Sequence, residues 1–159
     1  MKRGKSKFFE VELNWLKNFI FEVTVNGFPK FCMDELEPVG EDSAPNPADY
    51  LLVSVGGCVA SSFLYSTLKL GLPIKKLQVK VRGKYTRKRG MVRVGEINVE
   101  LHVDPATENI SAENLELCLN VFRRYCVVSE SLREGIPVTV SLKMGEHLFE
   151  VLPYDKNRD

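Results

Sequence analysis

The sequence predicts an α+β fold in which antiparallel sheets wrap around a long central helix. Three observations carry that prediction. Residues 46–70, NPADYLLVSVGGCVASSFLYSTLKL, are an almost uncharged run with a helix-starting signal at one end and a helix-ending signal at the other. Apolar and polar residues alternate with period two before and after it, which is the pattern of half-buried strands. A second helical period follows at 111–126, so the order is three strands, long helix, two strands, amphipathic helix, then one or two strands.

The first strands come from Phe9, Val11 and Leu13, which alternate with Glu10, Glu12 and Asn14. After a break at Lys17-Asn18, the apolar residues Phe19, Phe21, Val23 and Val25 alternate again. Asn26-Gly27 is the favoured pair for a type I′ hairpin, with Phe28 to Met33 expected to return antiparallel. Asp34 to Pro45 is acidic and holds Pro38, Gly40 and Pro45, so it reads as a loop leading into the long helix.

Asn46 is a good N-cap for that helix, Pro47 suits its first position, and Asp49 can answer the cap and the positive end of the helix dipole. Gly71 and Pro73 mark its other end. Gly56 and Gly57 stand side by side in the interior, where each costs about 1 kcal/mol relative to Ala. Close packing on a small-residue surface of Ser54, Gly56, Gly57, Ala60, Ser61 and Ser62 is the expected compensation. Apolar residues lie on nearly all sides, so the helix is expected to be enclosed by protein. A membrane span is not expected, because serines interrupt the run and its uninterrupted apolar part falls short of about 20 residues. At 1.5 Å per residue the helix runs about 36 Å, too long for one small sheet to wrap, and the prediction is therefore a homodimer with two such helices between sheets.

Leu77, Val79 and Val81 alternate with Lys76, Gln78, Lys80 and Arg82. Ile97, Val99, Leu101 and Val103 alternate with Glu96, Asn98, Glu100 and His102. The basic outer face of one strand is expected to meet the acidic outer face of the other, each such pair contributing about 0.2–1 kcal/mol. Thr86 to Gly90 makes the turn between them. Ser111 starts the second helix, with Asn114 as capping partner, and Leu115, Cys118, Leu119, Phe122, Tyr125 and Cys126 recur at helical spacing on an inward face. Val127 to Glu134 reads as a short helix or turn stopped by Gly135. Ile136 to Leu142 and His147 to Val151 close the chain as strands.

The chain has 159 residues and 44% hydrophobic content, enough for one domain over 1–159, with its core at about 8–143 and polar tails at both ends. A formal net charge of +1 gives no reason to expect nucleic acid, and the basic start Met1 to Lys7 reads as a solvated tail. No secretory h-region follows Lys7, so a cytoplasmic protein with reduced thiols is expected. The four cysteines are then candidates for chemistry. Metal is not expected, since CxxC is absent and His102 and His147 are far from each cysteine in sequence.

A thiol such as Cys58, in a helix that gives up propensity to be closely approached, is most simply a small buried hydrophobe. The run PxDYLLVSVGGCVASS, the segment Leu-Gly-Leu-Pro-Ile-Lys-Lys-Leu and the later RRYCVVSESLREGIPVTV change that reading, because together they resemble the OsmC/Ohr family of thiol-dependent hydroperoxide reductases over roughly Phe8 to Lys143. The resemblance implies an intertwined α+β homodimer with a two-cysteine site at the subunit interface, Cys58 matching the peroxidatic and Cys126 the resolving cysteine. It also implies organic or fatty-acid hydroperoxides as substrates, an external dithiol reductant that in some members is a lipoyl-protein, and no metal, haem or flavin. In the family an arginine from the N-terminal hairpin, oriented by a glutamate near the start of the central helix, supports the thiolate. No arginine lies between Arg3 and Arg82 here. Lys17 is the hairpin cation expected in its place, with Lys30, Arg123 and Arg124 as further candidates, and Asp49 stands near the position of the acid. Lysine lacks the planar fork that pairs arginine with a carboxylate. Cys32 and Cys118 are expected to be structural, Cys118 being the rival of Cys126. The alternative function is a dimeric binding protein of the same fold that holds a small apolar ligand.

Overall fold

The structure, a computed structural model, describes residues 9–106 and 111–151, apart from the side chains at 123, 124, 150 and 151. The two basic and polar tails expected at the ends lie outside the described residues. The elements run β1 (Val11–Lys17), β2 (Ile20–Val25), β3 (Phe31–Met33), α1 (Pro47–Lys69), β4 (Ile74–Lys88), β5 (Met91–Pro105), α2 (Ala112–Tyr125), α3 (Val127–Glu134), β6 (Val140–Met144) and β7 (His147–Val151). Among the described residues all strand pairs are antiparallel and fall in three sheets, β1-β2-β3, β4-β5 and β6-β7. The α+β class and the element order agree with the sequence pattern.

The turns differ from expectation in an informative way. At Asn26-Gly27 only Gly27 has positive φ, and the Phe28 N–H bonds to the Val25 carbonyl at 3.1 Å. Strand pairing resumes only at Phe31 opposite Val23, because Pro29 has no N–H to give to a ladder. The type I′ signature, positive φ at both central residues, is instead found at Arg89 (53°) and Gly90 (79°), between the paired Lys88 and Met91. β4 and β5 consequently run to 15 residues each, longer than their alternating cores suggest. Pro137 acts as Pro29 does, and β6 begins at Val140 instead of Ile136.

The acidic loop is built around Asp34, which is 1% exposed. Its carboxylate accepts hydrogen bonds from the N–H groups of Glu35 (2.8 Å), Glu41 (3.1 Å) and Ser43 (3.0 Å) and from the Ser43 hydroxyl (2.8 Å). Burial pushes this carboxyl up, but the four hydrogen bonds outweigh it and hold it below its usual value. A Cβ at Gly40 would lie 2.1 Å from the Glu35 carbonyl oxygen, so no larger residue fits the loop. The loop delivers Asn46 to the start of α1.

That start is a full capping box. The Asn46 side chain accepts from the N–H groups of Ala48 (2.8 Å) and Asp49 (3.1 Å), and the Asp49 carboxylate accepts from the Asn46 N–H (3.0 Å). At the other end Gly71 has φ of 64°, and the Leu72 N–H bonds back to the Thr67 carbonyl at 2.9 Å. α1 is long and apolar enough to cross a bilayer, with mean hydropathy 1.6 over its best window. In this fold it packs against α2, α3, β4 and β5.

The expectation that α1 is enclosed on all sides holds for one protomer only in part. Val55, Gly56, Val59, Ser62, Phe63, Ser66 and Thr67 are buried, whereas Val53, Gly57, Ser61, Leu64 and Leu68, which fall in one stripe along the helix, are exposed. The reason is that the two-stranded β4-β5 sheet and the α2-α3 pair cover two sides, and among the described residues no further layer reaches the third. The adjacent glycines divide accordingly. A Cβ on Gly56 would meet Val81 Cγ2 at 2.6 Å, while nothing lies within 4 Å of one on Gly57. In thermal unfolding of an isolated protomer, Gly57→Ala should therefore stabilise by about 0.5–1 kcal/mol and Gly56→Ala should destabilise by about 1–3 kcal/mol. If Gly57→Ala is destabilising when the same measurement is made on the assembled protein, a second chain packs on the exposed stripe.

On the outer face of β4-β5, Arg82 is paired with Glu100, and Lys76, Lys80 and Lys84 stand opposite Asp104, Glu100 and Glu96. The basic face of one strand thus meets the acidic face of the other as expected, and the Glu100 carboxyl is held below its usual value by Arg82. His102 is an exposed strand residue, 3.6 Å from Glu100. Among the described residues no group of three or more His, Cys, Asp and Glu side chains is placed to hold a metal ion.

Candidate active site

One face of α1 carries Cys58, Ser62 and Ser66 at four-residue spacing, so the three stack along the helix. Each meets a different point on the α2-α3 pair. Ser66 Oγ lies 3.3 Å from the sulfur of Cys118, which is 1% exposed. Ser62 donates to the Tyr125 carbonyl at 3.1 Å, tying the last residue of α2 to α1. Phe63 and Phe122 add an edge-to-face ring pair with centroids 6.3 Å apart.

These contacts place Cys126, the residue between α2 and α3, against Cys58. Their sulfurs are 3.7 Å apart. Cys126 ends α2 and is the N-cap of α3, and it is 4% exposed in a cluster with Val55 and Val59, against which Ile97, Val99, Leu101, Phe122 and Val128 pack. Cys58 itself is half-buried. Two further groups complete the site. The Val128 N–H donates to the Cys58 sulfur at 3.4 Å, and Ser129 Oγ lies 2.9 Å from the Cys126 sulfur.

A largely apolar cavity of about 660 Å³ opens on the Cys126 side of the pair, with Cys58 3.7 Å beyond that sulfur. Leu51, Val59, Ile97, Val99 and Phe122 supply apolar wall, Cys126 and Ser129 reach it from α3, and Glu130 and Arg133, paired at 2.5 Å, line it as well. The arrangement can accommodate a molecule with a substantial apolar part next to a thiol pair. Two thiols this close can exchange electrons as a dithiol and disulfide, since less than about 2 Å remains to be closed before an S–S bond length of roughly 2.05 Å.

Of the four site residues expected from sequence, the structure brings Cys58 and Cys126 together and leaves Asp49 and Lys17 with other partners. Asp49 spends its carboxylate on the capping box. The Lys17 ammonium binds Glu41 at 3.0 Å, and together with Asn18 it holds the Glu41 carboxyl below its usual value. Lys30 binds Glu22 at 2.6 Å. The side chains of Arg123 and Arg124 lie outside the described residues. Cys118 is buried against Ser66, and Cys32 is exposed in β3 with its carbonyl accepting from Tyr50. Sequence reasoning missed Val128 and Ser129. The available signal was the Cys126-Val-Val-Ser129 spacing, which puts a cysteine at the N-cap and a hydroxyl in the first turn of a helix stopped by Gly135.

Comparison with known proteins agrees with this fold. The profile of the family described as OsmC-like protein matches residues 40–141, which include both cysteines. Among solved structures, an OsmC-like protein of unknown function from Vibrio cholerae superposes with TM-score 0.70 at 12% identity, over 79% of this chain and 94% of that one. An OsmC-like protein from Mycoplasma pneumoniae gives 0.66 at 14% identity, over 81% and 89%. An organic hydroperoxide resistance protein OsmC from Legionella pneumophila gives 0.60 at 14% identity, over 82% and 92%. At such identities the likeness is one of fold. The search of curated proteins returns no match.

Proposed function

The chain belongs to the OsmC-like protein family, and from that premise we propose that it is a thiol-dependent peroxidase that reduces organic hydroperoxides. The observation that carries the reading is the 3.7 Å separation of the Cys58 and Cys126 sulfurs beside an apolar cavity. Relatives in fold whose names state organic hydroperoxide resistance support it.

In the proposed cycle Cys58, as thiolate, attacks the terminal oxygen of the hydroperoxide. The O–O bond breaks, the alkoxide leaves and takes up the proton released from the thiol, and the products are an alcohol and a Cys58 sulfenic acid. The Cys126 sulfur then attacks the Cys58 sulfur. An S–S bond forms, the S–O bond breaks, and the hydroxide leaves as water with the proton of the second thiol. An external dithiol, such as a lipoyl-protein, reopens the disulfide and is itself oxidised to one. Cys58 is assigned the attacking role because it is half-buried and matches the peroxidatic cysteine of the family, and Cys126, 4% exposed, is the resolving group. No metal, haem or flavin enters the cycle, which belongs in a reducing compartment such as the cytoplasm.

The same reading includes a homodimer. The uncovered stripe of α1 and the apolar residues of the β6-β7 hairpin, Val140, Leu142, Met144, Leu148 and Phe149, all exposed in one protomer, support it. The reading gives no catalytic role to Lys17 or Asp49, whose side chains are engaged by Glu41 and by the Asn46 N–H. A second reading, an apolar-ligand binding protein of the same fold, is favoured by the size of the cavity alone.

Stoichiometric cumene hydroperoxide separates the two. The peroxidase reading expects two thiols lost per peroxide and a Cys58–Cys126 disulfide in the peptide map. An unchanged thiol count leaves the binding reading in place.

A further inference from the structure

We propose that the first turn of α3 takes the part for which a side-chain cation was expected: the Val128 main-chain N–H holds the Cys58 sulfur as an anion, and Ser129 holds the Cys126 sulfur turned toward it. This inference rests on the peroxidase reading of the thiol pair.

The first four N–H groups of a helix have no partner within the helix and carry its positive partial charge. In most helices the N-cap side chain takes one of them. Here the N-cap is Cys126, and its side chain caps nothing. The Val128 N–H instead points across to α1 and donates to the Cys58 sulfur at 3.4 Å, so an orphan donor of one helix is satisfied by the thiol of another. A donor of this kind is worth more to a thiolate than to a thiol, because hydrogen bonds to an ionised acceptor are roughly twice as strong as neutral ones.

Of the cations expected to do the same work, the two whose side chains are described, Lys17 and Lys30, are engaged elsewhere, and so is Arg133 beside the cavity. Lys17 binds Glu41, Lys30 binds Glu22, and Arg133, which shares the cavity with Cys126, binds Glu130 one turn earlier on its own helix. The main-chain donor needs no such competition. It is fixed by the helix and cannot swing to a carboxylate.

Ser129 acts on the other sulfur. Its hydroxyl, 2.9 Å from Cys126 Sγ, anchors a side chain that has rotamers pointing away from Cys58. Ser129 is a positioning residue: it works by keeping the resolving sulfur within reach for the second step.

The test uses reagents that need no peroxidase activity, so its outcome is separable from that of the peroxide assay. Carbamidomethylation of Cys58 by limiting iodoacetamide, followed at neutral pH by peptide mass spectrometry, reads the thiolate. Val128→Pro deletes the N–H at a helix position that tolerates proline and should slow Cys58 labelling about tenfold, whereas Val128→Ala, which keeps the N–H, should stay within about twofold. An amide-to-ester exchange at the 127–128 bond deletes the same N–H without a ring and should match the proline variant. Lys17→Met should label as the unaltered protein does.

For Ser129 the reagent is diamide, which drives two neighbouring thiols to a disulfide. Ser129→Ala should slow formation of the Cys58–Cys126 bond about tenfold while leaving iodoacetamide labelling of Cys58 unchanged, and Ser129→Thr should restore the rate. Unchanged labelling in the ester variant, or a tenfold loss in Lys17→Met, overturns the role of Val128. Equal diamide rates in Ser129→Ala and the unaltered protein overturn that of Ser129. If these effects appear while cumene hydroperoxide leaves the thiols untouched, the peroxidase reading alone falls.

Discussion

Replacing Cys58 by serine should abolish hydroperoxide consumption, lowering the second-order rate with cumene hydroperoxide by a factor of about 10³ or more, the order associated with deleting a covalent nucleophile. The substitution exchanges sulfur for oxygen at nearly the same size. The helix and its packing on β4 and α2 are expected to survive, since the Ser62 and Ser66 contacts that dock α2 are untouched. What is lost is chemical: a neutral hydroxyl neither ionises near neutral pH nor attacks a peroxide oxygen. Stopped-flow loss of peroxide, with circular dichroism to confirm the fold, makes the measurement. Residual activity within tenfold of the unaltered protein would assign the chemistry to another thiol and end the proposed cycle.

Cys126→Ser should behave differently in kind. The first reaction with peroxide proceeds at close to the normal rate, because Cys58 and the Val128 N–H remain in place. One thiol is lost per peroxide instead of two, and Cys58 stops as a sulfenic acid that dimedone can trap. Excess peroxide then carries it to the sulfinic acid, which a dithiol does not reverse. Steady-state turnover with an external dithiol should fall on the order of a hundredfold, because a thiol held 3.7 Å away acts at an effective concentration that a free reductant cannot match. Intact-mass spectrometry after one equivalent of peroxide decides the matter. A disulfide between Cys58 and Cys118 in this variant would show that the buried rival can resolve the intermediate. The contact of Cys118 with Ser66, one turn beyond Ser62 on α1, argues that it cannot.

The two variants also test how the site is assembled. Cys58 is carried by a helix whose ends are set locally, by Asn46 and Asp49 at the start and Gly71 at the finish, so its position along α1 was legible from 46–70 alone. Cys126 was legible as a residue just past an apolar helical face, and the resemblance of its surroundings to a known family supplied its pairing with Cys58. The turns were read less well. Asn26-Gly27 has the composition of a tight hairpin, yet Pro29 delays the return strand, whereas Arg89-Gly90 has a weaker composition and the true type I′ geometry. Turn chemistry is decided by what the flanking strands can pair with, and a proline three residues on removes that pairing.

Lys17 and Asp49 show how the tertiary fold chooses partners that residue type does not name. A lysine side chain has four rotatable bonds and goes to the carboxylate that the tertiary fold brings nearest. That partner is Glu41, 24 residues away on the loop organised by Asp34. Asp49 had two roles open to it from sequence, and the short path to the Asn46 N–H took its carboxylate.

By itself the sequence determined the α+β class, the limits of the long helix, the alternating strands, and the places of Cys58 within one helix and Cys126 just past another, because each rests on local propensity and on side-chain periodicity. The tertiary structure alone decided which stripe of α1 stays uncovered and why only one of the paired glycines is needed in a protomer. It also decided that the donor on the Cys58 sulfur is a main-chain N–H. Such a group carries no residue-type signature. Its action depends on where the end of one helix lands on the side of another, which is set by packing between segments some 70 residues apart.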